Sequence, residues 1–85
     1  MSSGYLHTAE NKELCRRLKS ARKKAGLTQA ELASRLGKLQ SYVTKYEREE
    51  RRIDVTELIL ITTAIGVDPV QFFSEFTKFI ARKRS

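Results

Sequence analysis

A chain of 85 residues is expected to form one small domain, which leaves little room for a deep catalytic cleft. Its 17 Lys and Arg residues against 10 Asp and Glu residues give a formal charge of +7, which favours a polyanionic partner such as nucleic acid or an anionic membrane surface. A single cysteine, Cys15, excludes an internal disulfide, and with His7 as the one histidine there are too few ligands for a structural zinc site. No apolar run approaches the roughly 18 residues of a membrane span, so we expect a soluble, cytoplasmic protein.

The first predicted helix covers residues 11–25 and follows a flexible N-terminal arm, residues 1–10. Its apolar side chains recur at the spacing of one helical face. They are Leu14, Leu18, Ala21 and Ala25. Gly26 is expected to end this helix.

Thr28 and Glu31 predict where the second helix begins. In such a capping box the hydroxyl and the carboxylate each satisfy a backbone donor at the opening of a helix. The second helix is therefore expected to run from about Gln29 to Leu36, and Gly37 can take the positive φ that often follows a helix end.

The link between the second and third helices predicts a helix-turn-helix. Helical spacing resumes with Val43 and Tyr46, only a few residues after Gly37, and so short a link forces the two helices to cross at a steep angle. Ala33 supplies the small residue that is needed where two helix backbones approach. The third helix, beginning at Gln40, is then expected to present its N-terminus outward, where it fits a major groove.

Two further helices complete the predicted fold, and both begin with caps. Asp54 and Glu57 form a second capping box, and the helix after it carries a buried stripe up to Gly66. The stripe consists of Val55, Leu58, Ile59, Thr62 and Ile65. Asp68 caps the fifth helix, in which Pro69 takes the first position because its missing N–H is harmless there.

The stretch AGLTQAELASRLGKLQSYVTKYE resembles the phage-repressor and Cro-like (xenobiotic-response-element) helix-turn-helix domains. The resemblance extends from about Leu18 to Phe73. It rests on Ala25 to Gln29, Glu31-Leu32-Ala33, Leu36-Gly37, Gln40-Ser41, Glu47 and Ala64 to Val67. It implies an all-α, compact, five-helix lambda-repressor-like domain that binds double-stranded DNA, with residues 11–66 as the DNA-binding domain and the helix-turn-helix formed by helices 2 and 3.

The resemblance, together with position along the third helix, assigns side chains to the DNA contact. The base contacts would be Gln40, Ser41, Tyr42 and Lys45. The phosphate contacts would be Gln29, Lys38, Thr44, Arg48, Arg51 and Arg52. The chemistry of Gln40 agrees independently, because its amide matches adenine N7 and N6 in a bidentate pair that discriminates by about 1–3 kcal/mol. The resemblance also implies a structural ion pair between Arg22 and Glu47.

Lys38 and Leu39 depart from the family pattern, which commonly has an apolar residue and then Ser or Thr before the recognition-helix Gln. An N-cap hydroxyl is typically worth about 1 kcal/mol, so its loss weakens the start of the helix. Either the turn is looser here, or Leu39 packs as a hydrophobic staple while Lys38 reaches a phosphate.

The C-terminal segment, residues 67–85, carries a stripe of phenylalanines. Phe72 and Phe73 match core positions of the family, whereas a monomer of this size has difficulty covering the whole stripe, so we predict a homodimer. The predicted interface residues are Phe72, Phe76, Phe79 and Ile80. A symmetric dimer would place two recognition helices about 34 Å apart and read a palindromic operator. The tail from Arg82 to Arg84 is expected to be frayed.

The sequence thus predicts a transcriptional regulator of the repressor or controller type. The alternative is an antitoxin-like or adaptor module that binds a partner protein through the C-terminal helix. An enzyme is not expected, because the sequence shows no metal cluster, no nucleophile–base pairing and no glycine-rich phosphate loop. No cofactor, metal or small-molecule ligand is implied, and neither Cys15 nor His7 is assigned a role.

Overall fold

Five α-helices joined by short turns make up the structure, a computed structural model that describes residues 7–84. The helices are α1 Ala9–Lys24, α2 Gln29–Leu36, α3 Gln40–Glu47, α4 Val55–Ile65 and α5 Pro69–Arg84. Residues 7–84 contain no strand, which confirms the all-α, five-helix prediction. Residues 1–6 of the predicted arm and Ser85 lie outside the described residues.

Helix α1 begins earlier than its apolar spacing predicts. Thr8 is its N-cap, and the Thr8 hydroxyl accepts a hydrogen bond from the backbone N–H of Asn11 at 3.1 Å. Ala9 and Glu10 are therefore helical, and α1 begins two residues before the predicted start at residue 11. The polar cap, rather than the first apolar residue, sets this boundary.

The predicted starts of α2, α4 and α5 agree with the structure, and the cap of each is formed. Helix α3 also begins at the predicted Gln40, but without a side-chain cap. Both capping boxes, at Thr28 with Glu31 and at Asp54 with Glu57, show the reciprocal pair of hydrogen bonds. The carboxylate of Asp68 accepts a hydrogen bond from the backbone N–H of Val70 at 3.1 Å at the opening of α5. The far end of α5 differs from the prediction, since the helix continues through the tail that we expected to fray.

The core lies where α1 to α4 meet, and α5 closes it against α4. Its buried members are Leu18, Leu32, Ala33, Val43, Tyr46, Leu58, Ile61, Ile65 and Phe72. Cys15 is also buried, and burial raises the pKa of its thiol to about 11, so the thiol stays protonated near neutral pH.

The buried stripe predicted for α4 is right at Leu58, Thr62 and Ile65 and wrong at Val55 and Ile59. Leu58, Ile61 and Ile65 face the core, whereas Val55 and Ile59 are exposed. Spacings of three and four residues from Leu58 lead to Ile61 and to the buried Thr62, whose hydroxyl donates to the Leu58 carbonyl at 2.8 Å. Helix α4 therefore has more apolar residues than the core can bury, and some of them are exposed on the surface.

Helix α5 divides its phenylalanines between core and surface. Phe72 is only 8% exposed and belongs to the monomer core, which corrects its assignment to a dimer interface. Phe73, expected in the core, is 50% exposed, because one residue turns a helix by about 100°. The rings of Phe76 and Phe79 are half-buried and stack with centroids 6.4 Å apart. The guanidinium of Arg17 lies 5.8 Å from the Phe79 centroid, so α1 covers part of this stripe.

No single helix within residues 7–84 has both the length and the apolar composition needed to cross a membrane. Helices α4 and α5 meet that test only when taken together, and they are bent by 119° at their junction.

Candidate nucleic-acid interface

Three residues, 37–39, connect α2 to α3 and set the geometry of the helix pair. Gly37 has the left-handed backbone angles φ 67° and ψ 32°, which a residue with a side chain adopts only under strain. The N–H of Lys38 donates to the Ala33 carbonyl at 2.9 Å and closes α2. Ala33 is buried in the core, so the small side chain predicted for close packing is present.

Helix α3 has one face in the core and one face on the surface. Val43 and Tyr46 are fully buried and hold the helix against the rest of the domain. The exposed residues of α3 are Gln40, Ser41 and Lys45, and Arg48 follows them at the C-cap. The N-terminal tip of α3 therefore projects away from the core, and most of the predicted base contacts lie there.

Arg22 and Glu47 join α1 to the end of α3. Arg22 Nε donates to Glu47 Oε2 at 2.7 Å, and Arg22 Nη2 donates to Glu47 Oε1 at 3.1 Å. A third donor, Nη1, reaches the Leu27 carbonyl at 2.8 Å. The two side chains are 8% and 2% exposed, so this bidentate pair lies within the protein and holds the C-terminal end of α3 against α1.

Gln29, the first residue of α2, uses its side-chain amide inside the protein. Its Nε2 donates to Glu47 Oε1 at 2.9 Å, and its Oε1 accepts from the Thr44 hydroxyl at 2.7 Å. The same oxygen accepts a longer hydrogen bond, 3.4 Å, from Gln40 Nε2. Gln29 and Thr44 therefore position α3, and their contacts with phosphate stay predictions.

Tyr42 lies in a cluster that the sequence analysis did not anticipate. Its hydroxyl donates to Glu57 Oε2 at 2.9 Å, and Arg51 Nη2 lies 2.8 Å from the same oxygen. The Arg51 guanidinium is 4.6 Å from the centroid of the Tyr42 ring, and Lys38 Nζ is 5.3 Å from it. The ring is thus flanked by two cations, while its hydroxyl is bound to a carboxylate of α4.

Charge states in this cluster follow from its contacts. Burial, and then the hydrogen bond to Glu57, raises the pKa of Tyr42 to about 12, so the hydroxyl remains a donor at physiological pH. Burial opposes ionisation of Glu57, but the hydrogen bonds from Arg51, Asp54 and Tyr42 outweigh it, and the pKa of Glu57 lies below its usual value. Both the Tyr42 hydroxyl and Arg51 are therefore engaged with Glu57, and a phosphate would have to share them.

The sequence predicts Glu57 as a helix-capping residue but gives no sign of its contact with Tyr42. One oxygen, Oε1, accepts the N–H of Asp54 at 3.0 Å as the capping box predicts. The other oxygen holds Tyr42, 15 residues earlier in the chain, and helical spacing gives no signal for that contact. Glu57 thus connects the start of α4 with the outer face of α3.

The remaining predicted contacts lie beside the tip of α3. Lys38, Lys45 and Arg51 line one surface groove together with Tyr42. Lys45 and Arg48 line a second groove with Gln40, Ser41 and Thr44, and the acidic Glu50 borders both grooves. Arg52 is exposed in the loop before α4. The structure brings Lys38, Lys45, Arg48 and Arg51 together beside the tip of α3, and the contacts of all five cations with DNA stay predictions.

Among residues 7–84, no group of three or more His, Cys, Asp or Glu side chains is arranged to hold a metal ion.

Comparison with known proteins gives matches over most of the chain. Residues 18–72 match the family model described as helix-turn-helix, HTH_3. The solved structure of an XRE-family like protein from Pseudomonas syringae pv. tomato strain DC3000 is 41% identical, with a TM-score of 0.82 over 92% of this chain and 95% of that one. No curated protein sequence matches the chain.

Two restriction-modification controller proteins also share the fold. The wild-type controller C.Esp1396I is 27% identical, with a TM-score of 0.78 over 87% of this chain and 95% of its own. The controller C.AhdI from Aeromonas hydrophila is 30% identical, with a TM-score of 0.69 over 78% of this chain and 96% of its own. The chain therefore belongs to the XRE-family helix-turn-helix proteins, a family of DNA-binding transcriptional regulators and not of enzymes.

Proposed function

We propose that this chain is a sequence-specific regulator, of the repressor or controller type, that acts in the cytoplasm and reads the DNA major groove with the tip of α3. The observation that carries the proposal is the division of α3 into two faces. Val43 and Tyr46 anchor the helix in the core, while Gln40 and Ser41 are exposed at its N-terminus. A helix held in this way can enter the major groove with its first residues against base edges.

The side-chain amide of Gln40 is oriented and still able to read a base. One of its two N–H groups points to Gln29 Oε1 at 3.4 Å, which restricts rotation of the amide. A glutamine amide has a second N–H and a carbonyl oxygen, and these are the two groups that a bidentate contact with adenine requires. Gln29 therefore supports base reading by Gln40 as a positioning residue.

Cations beside α3 supply the contacts to the DNA backbone in this proposal. Lys38, Lys45 and Arg48 border the reading surface, and the net charge of the chain is +7. Such contacts fix the register of a protein on DNA and make its binding dependent on salt, without reading the sequence.

Gln40→Ala is expected to lower affinity for the preferred operator by about tenfold, because a bidentate contact is worth about 1–3 kcal/mol. Affinity for random DNA should change by less than about twofold, since backbone contacts remain. The operator is first selected from random DNA with the wild-type chain, and dissociation constants are then measured on both DNAs at one salt concentration.

Gln71→Ala is the matched control, because Gln71 is an exposed glutamine on α5, away from α3. It should leave both affinities unchanged. Equal losses on operator and random DNA in the Gln40 variant would reject base reading by this residue, and a chain that selects no sequence would reject the proposed function.

The chain acts on its operator as a homodimer, and its outward apolar residues support this part of the proposal. They are Val55, Ile59 and Leu60 on α4 and Val70 and Phe73 on α5. The two helices pack against each other, and exposed apolar groups on neighbouring helices are typical of an interface. In this arrangement Phe73 replaces the buried Phe72 as the central aromatic contact, and the two α3 helices of the dimer read a palindromic operator.

Phe73→Asp is expected to weaken dimerisation at least about tenfold, because each of two symmetry-related rings, 50% exposed in the monomer, contributes about 0.8–1.5 kcal/mol when covered. Sedimentation equilibrium of both proteins measures this directly. Gln71→Asp places the same charge elsewhere on α5 and should leave the dimer intact. A monomeric wild-type chain that forms a complex with a second protein through Phe73 would instead favour the antitoxin-like or adaptor function.

A further inference from the structure

Leu39 lacks both the polar side chain that is usual at a helix N-cap and the burial that is usual for a large apolar residue. It is the N-cap of α3, with φ −75° and ψ 154°, yet its side chain makes no capping hydrogen bond. Ser, Thr, Asp or Asn would normally fill this position. Leu39 is also 79% exposed, so the hydrophobic staple considered in the sequence analysis is not formed. Neither the local structure nor the core accounts for a leucine here.

The surroundings of Leu39 are polar and basic. It lines a surface groove with Lys38, Tyr42, Lys45 and Arg51. It also directly precedes Gln40, the residue to which the proposed function assigns base reading. An apolar side chain such as that of Leu39 is not suited to bind a phosphate. Residues that do not fit their local structure occur mainly at functional sites in real proteins, which suggests a role for this leucine in function.

We infer that Leu39 is a specificity-determining residue that contacts the C5-methyl group of a thymine in the major groove, beside the base read by Gln40. This inference rests on the proposed function and deepens it. The thymine methyl is the apolar group that a base pair presents in the major groove, and aliphatic side chains are suited to contact it. Leu39 would add a preference for thymine that the hydrogen-bonding side chains around it do not supply.

The size of the expected effect follows from the burial of one methyl group. Removing such a group from an apolar contact changes affinity by roughly fourfold. The preference is therefore detectable in a binding measurement and small beside the total affinity for a specific site.

The test replaces the thymine methyl and the leucine independently. The operator is selected with the wild-type chain, each thymine in a half-site is replaced in turn by deoxyuridine, and affinities are measured for the wild type and for Leu39→Ala. At one thymine, the replacement should weaken wild-type binding about fourfold and leave binding by the variant unchanged. Thermal unfolding of both chains verifies that the variant is folded.

Leu39→Ser gives an independent readout, because it restores an N-cap hydroxyl while removing the apolar contact. It should raise Tm by about 4 °C and abolish the discrimination between thymine and deoxyuridine. A merely structural leucine would not produce these opposite effects on stability and on base preference.

The outcomes separate this inference from the proposed function. If deoxyuridine costs the wild type and Leu39→Ala the same at every position, the inference is overturned while sequence-specific binding stands. If the wild-type chain selects no operator at all, the proposed function is overturned, and the role of Leu39 with it.

Discussion

Arg22→Ala is expected to lower the free energy of unfolding by about 3–5 kcal/mol, because it leaves the Glu47 carboxylate buried without its cation. Among residues 7–84, Glu47 would keep only the hydrogen bond from Gln29 Nε2, at 2.9 Å. The Leu27 carbonyl, at the turn between α1 and α2, would also lose its donor from Arg22. Urea unfolding followed by circular dichroism measures the change, and Tm should fall by more than about 10 °C.

Arg16→Ala is the matched control on the same helix. Arg16 also pairs with a glutamate, Glu13, but its side chain is 62% exposed, and exposed pairs contribute little to stability because solvent screens them. Replacing both Arg22 and Glu47 by apolar residues of similar size should recover much of the lost stability, because no uncompensated charge remains. An Arg22→Ala chain within about 1 kcal/mol of the wild type would show that the pair is dispensable.

Tyr46 should respond in opposite directions to two substitutions. Tyr46→Ala is expected to cost about 3–5 kcal/mol, because it removes a fully buried ring from the inner face of α3. Tyr46→Phe is expected to stabilise the chain by about 1 kcal/mol, because the hydroxyl is buried and has no hydrogen-bond partner among the described residues. Burial also raises the pKa of this hydroxyl, so it remains neutral and its removal changes no charge.

The two Tyr46 variants act as controls for each other, since they share the site and differ in the ring. Chemical unfolding of all three chains at neutral pH gives the comparison. A Tyr46→Phe chain that is less stable than the wild type would show that the hydroxyl contributes a favourable interaction, and the assignment of Tyr46 as purely an apolar anchor would be wrong.

Features encoded over short distances in the chain were predictable. The capping boxes at Thr28 and Asp54 marked the starts of α2 and α4, and Gly37 marked the turn. Each of these signals depends on residues within one helical turn, so the sequence order already contains the geometry. The position of the exposed tip of α3 follows from these boundaries alone.

Features that depend on packing between helices were not predictable. The orientation of α4 turned Val55 outward and Ile61 inward, and the orientation of α5 placed Phe72 in the core and Phe73 on the surface. When the apolar face of a helix is wider than the core can cover, packing against the neighbouring helices decides which of its residues are buried. The hydrogen bonds from Gln29 to Glu47 and from Tyr42 to Glu57 were missed for a related reason, because these partners are 18 and 15 positions apart in the chain.

The bond between Tyr42 and Glu57 restricts how this scaffold can diversify. A substitution of Tyr42 that changed the operator preference would also remove the hydrogen bond from its hydroxyl to Glu57 Oε2, 2.9 Å long, which joins α3 to α4. It would also remove the ring that the Arg51 guanidinium contacts. Substitutions of Gln40 or Ser41 should disturb the packing of the protein less, because these residues are exposed. Under the proposed function, a change in DNA preference should therefore begin at the first turn of α3 and involve Tyr42 only together with Glu57.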